Sequence, residues 1–370
     1  MISLLTALLL FVFLISIPWL LPYLRVKPSK SASNDPNLPN LIPKPSSQKP
    51  STITSLRVYP IKSCRGFEIF STKLLTTGLD LDRRWMLVDA TTHVFLTIRQ
   101  IPSMTRIKTG LSADGSELLL STTTPDGKED SDVVRIPSHP DTAWLESHTS
   151  LATDIQIWDT VTDGHIYGPG PGVNQLFSKF LNRDVVLVYK GPTPRILKGN
   201  GDPKLLGRVQ DTNFPDVHPV LIASEASINE LNSRLTASGH EEISIERFRP
   251  NIIIKGDEGP WVEDSWMTVR TGSPASASTG KSEDSDESVT FDIVARCGRC
   301  QVPNVHPETA VKHRTQPWDT MMNYRRVDPG LKYKPCFGMM GAPRREGHLS
   351  VGMRFEVLQE TGGHLYIKGF

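Results

Sequence analysis

Residues 291–304 read Phe-Asp-Ile-Val-Ala-Arg-Cys-Gly-Arg-Cys-Gln-Val-Pro-Asn, and the rest of the chain is organised around them. The short apolar run at the start predicts a β-strand that delivers two thiols, Cys297 and Cys300. Arg296 and Arg299 flank these cysteines, and nearby guanidinium charge stabilises a thiolate. Because the thiolate is the form that binds metals or attacks as a nucleophile, this stretch is predicted to be a functional site.

Two other interpretations of the cysteine pair remain open from the local pattern. Free cysteines are common packing residues, and two of the four in this chain could be neighbours by coincidence. A structural zinc site would need two further ligands at metal spacing, but the sequence has no second Cys-x-x-Cys and no His-x3-His motif. The pair alone does not decide between packing and chemistry.

The composition of the chain indicates an ordinary folded protein. Its 370 residues are enough for two domains, and 38% apolar with 22% charged residues is a normal globular balance. Lys and Arg number 41 against 40 Asp and Glu, so no overall positive field is present to hold nucleic acid. Four cysteines are too few for a disulfide-stabilised scaffold, which predicts reduced thiols and a cytosolic folded region.

The first 50 residues differ from the rest. Residues 1–24 contain no charged side chain and, as a helix, could cross about 30 Å of hydrocarbon. Arg25, Lys27 and Lys30 follow directly, which predicts a single-pass membrane anchor with a cytosolic remainder. A cleaved signal peptide is the alternative, but no basic residue precedes the apolar run and no clear Ala-x-Ala site follows it. Residues 25–50, rich in proline and serine, predict an extended linker.

Short β-rich runs dominate the first folded region, residues 51–183. Runs at 56–59, 85–89 and 94–98 are separated by turn residues and predict strands. Apolar residues recur at helical spacing across residues 173–181, which predicts a helix packed on the core.

Basic side chains recur at the ends of these predicted strands. Lys62 and Ser63 lie in the loop after the first strand, where Gly66 allows close approach of the backbone. Arg83 and Arg84 precede the next strand. Together these groups could bind an oxyanion or a phosphate, although a single Lys or Arg is more often a solvated surface charge.

The second folded region, residues 184–370, combines strands with short helices. A capping box at Ser227 predicts the start of a helix, and Pro250 predicts extended backbone at Arg249, beside Asn251. Strands are predicted at 185–189, 220–223, 243–245, 252–254 and 349–358, with a short helix after Pro317. Residues 273–288 have almost no apolar side chain and predict a solvated insertion.

Five motifs, in this order, carry a family resemblance. They are Lys62-Ser-Cys-Arg-Gly66, Asp82-Arg-Arg-Trp85, Phe214-Pro-Asp216, Arg249-Pro-Asn251 and Arg299-Cys300. The chain resembles the MOSC family over about residues 51–360, particularly its mitochondrial amidoxime-reducing branch. The resemblance implies an α+β, β-rich fold in which a MOSC-type N-terminal β-barrel module, 51–183, and a MOSC β-barrel domain, 184–370, follow an N-terminal transmembrane helix.

The resemblance also implies a function. Members bind the molybdenum cofactor, and the family is associated with pyridoxal phosphate binding. The cysteine after arginine, here Cys300, is the expected molybdenum ligand. The residues expected to hold the pterin phosphate and ring are Lys62, Ser63, Arg83, Arg249 and Asn251, with Arg83 and Arg84 left as alternatives at the phosphate.

The expected reaction is the reduction of N-hydroxylated compounds such as amidoximes and hydroxylamines. The sequence has no Rossmann glycine pattern after a strand and no four-cysteine cluster, so the electrons must come from an external donor. The family suggests cytochrome b5 and its flavin reductase as that donor. It also favours the mitochondrial outer membrane over the endoplasmic reticulum as the location. The alternative function is a molybdenum cofactor or sulfur carrier without turnover.

The sequence departs from the family pattern after the second cysteine. Residues 301–304 replace a threonine pair, and His306 and Ala310 stand where the family often has Asp and Gly. Pro303 lacks a backbone donor, and His306 removes a carboxylate. These changes bear on how a substrate would be positioned, and they do not alter the expected metal ligand.

Overall fold

The computed structural model describes residues 41–130, 133–170, 172–273 and 288–369. The predicted membrane anchor, residues 1–24, lies outside these ranges, as does nearly all of the predicted insertion at 273–288. The described residues fall within one unit, Pro39–Phe370. The predicted boundary between residues 183 and 184 stays a prediction.

Strands outnumber helices among the described residues. In chain order the strands are β1 Lys44–Pro45, β2 Ser51–Val58, β3 Phe67–Ile69, β4 Ser71–Leu75, β5 Gly78–Leu79, β6 Trp85–Asp89, β7 Ile107–Leu111, β8 Glu117–Thr122, β9 Val134–Pro137, β10 Thr149–Ile157, β11 Thr160–Tyr167, β12 Val185–Lys190, β13 Arg195–Ile196, β14 Asp211–Thr212, β15 Val220–Ser224, β16 Ile252–Ile254, β17 Trp266–Gly272, β18 Val289–Gly298, β19 Cys336–Pro343, β20 Gly347–Ser350 and β21 Arg354–Glu360. The α-helices are α1 Thr142–His148, α2 Val173–Leu181, α3 Pro203–Leu206, α4 Glu225–Ala237 and α5 Trp318–Tyr324.

Seven strands form a closed barrel. Their order is β21-β17-β18-β19-β15-β16-β2, and β2 pairs back onto β21 through Ser51 opposite Phe355. Neighbouring strands are antiparallel except β15 and β16. The predicted β-rich fold with a β-barrel is therefore confirmed.

The barrel is completed by a strand from the start of the folded chain. In β2, Ile53, Leu56 and Val58 are buried, and a register shift at Thr54 places Ile53 on the same face as the other two despite the three-residue spacing. They join the barrel core, which contains Phe291 from β18. The strand that carries Cys297 and the strand β2 thus contribute to the same core.

A second β-rich region lies between the barrel strands β2 and β15 in the sequence. Strands β10, β11, β12 and β6 form an antiparallel sheet, and β7, β8 and β9 form a second one. Isolated bridges, Val88 to Phe95 and Val94 to Gln156, link the two edges of the four-stranded sheet. The predicted strand at 94–98 is therefore reduced to two bridging residues that connect β6 with β10.

One local prediction was wrong and one predicted helix start is shifted by two residues, in both cases because a side chain satisfies backbone groups outside the sheets. The segment 243–245 is not a strand: the backbone N–H and C=O of Ile243 pair with the side chain of Asn232 in α4, at 3.0 Å each. The predicted helix starts at Glu225 and is capped by Ser224, whose hydroxyl accepts from the Ser227 backbone. The helix over 173–181 is confirmed as α2.

The predicted localisation as a single-pass membrane protein is wrong for the part of the chain that the structure describes. None of the helices within the four described ranges is long and apolar enough to cross a bilayer.

Candidate functional site

One cavity of about 650 Å³ gathers the predicted site residues. Its lining includes Lys62, Ser63, Arg83, Arg249, Asn251 and Cys300. The barrel register explains part of this convergence. Leu56 near the end of β2 lies opposite Ile252 at the start of β16, so the loop after β2 meets the loop before β16.

Lys62 provides a buried ammonium in the cavity wall. Its Nζ donates to the carbonyl of Phe214 at 2.9 Å and to the carboxylate of Asp216. Burial lowers the pKa of Lys62 to about 8, and the attraction of Asp216 opposes this decrease. The ammonium is therefore fixed in place by the predicted Phe214-Pro-Asp216 motif.

Arg83 and Arg249 contact the same aromatic ring. Their guanidinium carbons lie 4.5 and 4.3 Å from the centroid of Tyr59. Arg83 is neutralised by Asp82, with 2.5 Å between Nη1 and Oδ2, and also donates to the carbonyl of Arg249 at 3.1 Å. Two guanidinium groups are thus held next to each other in a largely buried wall.

Arg249 has no carboxylate partner among the described residues. Its Nη1 donates to the carbonyl of Cys64 at 2.8 Å, whereas its buried Nη2 has no hydrogen-bond partner in the described part of the chain. Burial, followed by the neighbouring charge of Arg83, lowers the pKa of Arg249 to about 10. An anion bound here would reduce the repulsion between Arg83 and Arg249, and it would accept a hydrogen bond from the unused Nη2 of Arg249.

Three of these residues have left-handed backbone. The φ angles are 70° at Ser63, 50° at Arg83 and 60° at Arg249, a region that costs non-glycine residues roughly 1–3 kcal/mol each. The predicted extended backbone at Arg249 is therefore wrong, although Pro250 follows it. Arg249 caps the 3-10 helix Ile245–Phe248, and its N–H donates to Glu246, which overrides the local preference.

The two thiols have different surroundings from those the sequence predicted. Arg299 donates from Nη1 to Cys297 Sγ at 3.0 Å and from Nη2 to the carbonyl of Phe248 at 2.8 Å. Cys297 and Cys300 are both half-buried in the cavity lining. The contact between a guanidinium and a thiol is therefore made to the first cysteine.

Arg296 does not contact either thiol. It is buried and pairs with Asp328 at 3.4 Å and with Asp264 at 3.8 Å, and it donates to the carbonyl of His364 at 3.2 Å. The prediction that both arginines place guanidinium charge beside the thiols is wrong for Arg296, because the alternation of β18 directs its side chain away from the cavity.

The side chain of Asn251 connects the backbones of two strands. Its side-chain oxygen accepts from the N–H of Leu221 at 3.1 Å, and its amide nitrogen donates to the carbonyl of Arg57 at 3.2 Å. The side chain therefore joins β2 to the start of β15, and it retains one amide N–H for a bound group.

The two arginines that the sequence left as alternatives differ in position. Arg83 lines the cavity, whereas Arg84 does not. Arg84 instead donates to Asn213 at 3.2 Å and to the hydroxyl of Tyr189 at 2.6 Å.

Sequence reasoning missed several lining residues. His218 is buried, and neither ring nitrogen has a partner among the described residues; burial lowers its pKa to about 3, so it is neutral. Arg99 and Trp158 stack, with 4.3 Å between the guanidinium carbon and the ring centroid. The segment 330–334 also lines the cavity. Only the Phe214-Pro-Asp216 motif pointed toward His218, and no local pattern marked the other positions.

The described cavity defines a class of protein: a β-barrel protein with a largely buried, positively charged cavity wall and two half-buried thiols. The MOSC domain matches residues 209–356, and the MOSC N-terminal beta barrel domain matches residues 50–184. The chain therefore belongs to the MOSC family.

Named relatives agree with this assignment. The chain is 28% identical to mitochondrial amidoxime-reducing component 1 of Danio rerio, covering 81% of this chain and 82% of that protein. It is 29% identical to mitochondrial amidoxime reducing component 2 of Homo sapiens, covering 82% and 83%. It is also 32% identical to molybdenum cofactor sulfurase of Arabidopsis thaliana, covering 78% of this chain but only 32% of that larger protein. These relatives connect the chain to the molybdenum cofactor in general.

Proposed function

We propose that this protein is a molybdenum-dependent oxidoreductase that reduces N-hydroxylated compounds. The observation that carries the proposal is the convergence of Lys62, Arg83, Arg249 and Arg299 with two half-buried thiols in one cavity. The names of the amidoxime-reducing relatives support the reaction class.

The residues present fit an anionic cofactor. A phosphate needs several charge-assisted donors, and planar guanidinium groups supply two each. Arg249 lacks a carboxylate partner in the described residues and has an unused buried donor, and Arg83 lies beside it. A positive wall of this kind is costly when empty of anions, because buried like charges repel each other.

Each predicted site residue then has a role in this proposal. Lys62, Ser63, Arg83, Arg249 and Asn251 would hold the pterin phosphate and ring, and Cys300 would provide the thiolate for molybdenum. A soft thiolate suits such a metal. When bound, the cofactor supplies the two-electron chemistry that removes oxygen from nitrogen. The chain itself binds and orients the cofactor and substrate and limits the access of water.

The overall reaction balances with two electrons and two protons. An amidoxime, R–C(=NOH)NH2, takes them up and yields the amidine, R–C(=NH)NH2, and one water. Since the sequence lacks its own electron-carrying motifs, we propose cytochrome b5, reduced by its flavin reductase, as the electron source.

Metal analysis with matched cysteine variants tests the proposal. Full-length protein from a host that makes molybdopterin should contain molybdenum and reduce benzamidoxime. Cys300→Ser should lose at least about 90% of turnover, in line with removal of a metal ligand. Cys297→Ser is the matched control, because serine can still accept the hydrogen bond from Arg299. Parent protein without molybdenum, or a fully active Cys300→Ser variant, would contradict the proposal.

A carrier function is the second candidate. Two observations favour it: the similarity to a molybdenum cofactor sulfurase, and the replacement of the family's threonine pair by residues 301–304. A carrier would contain the cofactor yet show no steady-state reduction of benzamidoxime with either a protein donor or a chemical reductant. Sustained turnover with either donor would exclude it.

A further inference from the structure

The exposed part of the cavity lining is positively charged. Lys332 and Lys334 are exposed, and the described residues provide no salt bridge to either. Tyr333, between them, is 82% exposed. Arg99 and Lys368 are also exposed lining residues. This part of the lining, Arg99, residues 332–334 and Lys368, is called the rim below.

The backbone positions the rim firmly. The segment lies between α5 and β19, and Asp328 accepts from Gly330 at 2.9 Å through its side chain and from Leu331 at 3.0 Å through its carbonyl. Lys334 donates from its N–H to Leu331 at 3.0 Å, and the side chain of Leu331 is buried. The two lysines and the tyrosine are therefore presented on an ordered turn.

The rim also includes an aromatic surface and little negative charge. Arg99 covers the ring of Trp158, whose indole N–H donates to Asp216 at 3.2 Å. Asp159 and Asp216 are the exposed carboxylates in the lining, and each pairs with a lysine: Asp159 with Lys368 at 3.2 Å, and Asp216 with the buried Lys62. Four exposed cations thus face two exposed carboxylates, one of which is already neutralised by Lys62, in a protein whose net charge is only +1.

We propose that the rim is the docking surface for the acidic face of an electron-donating haem protein. This inference rests on the proposed function, because an enzyme without its own electron carrier must receive electrons from outside. Exposed Tyr, Trp and Arg are typical of protein interfaces, and opposite charges steer the encounter of two proteins. A donor docked here would bring its haem edge to the opening of the cavity that contains Cys300.

A small anionic substrate is the competing occupant. Solvated lysines bind a single carboxylate weakly, since exposed ion pairs contribute about 0–1 kcal/mol. A protein face carries several carboxylates and can also cover Tyr333. The charge and the exposed aromatic ring together therefore favour a protein partner.

The test compares two double variants of the full-length protein with the same change in net charge. Lys332→Glu with Lys334→Glu reverses charge on the rim. Lys44→Glu with Lys179→Glu is the matched control, because both lysines are exposed and neither lines the cavity. The first readout is the Kd for cytochrome b5, measured by calorimetry at low and high salt. The second is benzamidoxime turnover with reduced methyl viologen, a cationic reductant that negative charge does not repel.

The rim variant should bind cytochrome b5 at least about tenfold more weakly at low salt, and the difference should shrink at high salt. Its viologen-driven turnover should match the parent, and the control should match the parent in both readouts. Equal Kd values for the rim variant and the parent would overturn the proposal. So would unchanged binding combined with a raised KM for a carboxylate-bearing amidoxime, which would assign the rim to the substrate. If the parent shows no viologen-driven turnover, the oxidoreductase proposal fails, while the Kd values still decide the docking proposal.

Discussion

Replacing Arg249 by methionine should separate cofactor binding from folding. The change removes a charge that has no carboxylate partner among the described residues and removes the unused Nη2 donor. A single charge-assisted hydrogen bond to an anion contributes about 2 kcal/mol, so the loss of even one should weaken cofactor binding roughly thirtyfold. Molybdenum content and pterin fluorescence after dialysis should fall accordingly.

The folded, cofactor-free protein should be affected much less. Losing the bond from Arg249 to the carbonyl of Cys64 costs about 1–3 kcal/mol, but removing the repulsion with Arg83 offsets part of that cost. We expect a net loss below about 2 kcal/mol, and methionine retains packing against Tyr59. Thermal unfolding of cofactor-free parent and variant measures this difference.

Arg247→Met is the matched control for this experiment. Arg247 lies two residues away, donates to the carbonyl of Pro303 at 3.4 Å and is not part of the cavity lining. It should retain the cofactor at the parent level. Full cofactor retention by Arg249→Met would refute the reasoning, as would a loss of fold stability large enough to account for the missing cofactor.

Two further predictions concern stability. Burial raises the pKa of Glu263 to about 7, so the folded state holds this proton more tightly than the unfolded state. The free energy of unfolding should therefore fall by roughly 3 kcal/mol as pH rises from about 4.5 to 7, and then level off. Glu263→Gln should remove most of this dependence of the unfolding free energy on pH, as measured by denaturant unfolding at several pH values. An unchanged dependence would contradict its assignment to Glu263. Trp85→Phe removes the buried hydrogen bond of 2.9 Å to the hydroxyl of Tyr167, and it should lower the free energy of unfolding by about 1–3 kcal/mol. Tyr167→Phe in the Trp85→Phe background should then lower it little further. Full additivity of the two losses in denaturant unfolding would contradict a direct coupling.

Local chemistry in the sequence was sufficient for much of the fold. The apolar spacing over 173–181 predicted α2, because a helix with one buried face repeats its apolar residues at the helical period. The continuous apolar run at 185–189 predicted β12, because a strand buried on both faces is apolar at successive positions. The ordered motifs were specific enough to predict the family and a β-barrel. Local patterns failed at Ile243, where the side chain of Asn232 from the preceding helix α4 satisfies the backbone.

The candidate site depended more on contacts between distant segments. The sequence predicted which residue types belong to an anion site, since Lys, Arg and Cys carry the required charge and sulfur wherever they occur. It could not decide between Arg83 and Arg84, because that choice depends on which side chain reaches Asn213 and Tyr189. It also could not show that Arg299 contacts Cys297 while Arg296 pairs with Asp328.

The amino-acid sequence alone therefore determined the family, the barrel architecture and the chemical character of the cavity, because residue type and period are local properties. Only the tertiary structure decided how the barrel closes, since β2 pairs with β21 across about 300 residues of chain. The pairing of β2 with β16 brings the loop that contains Lys62 to Arg249, and no local pattern could specify that proximity.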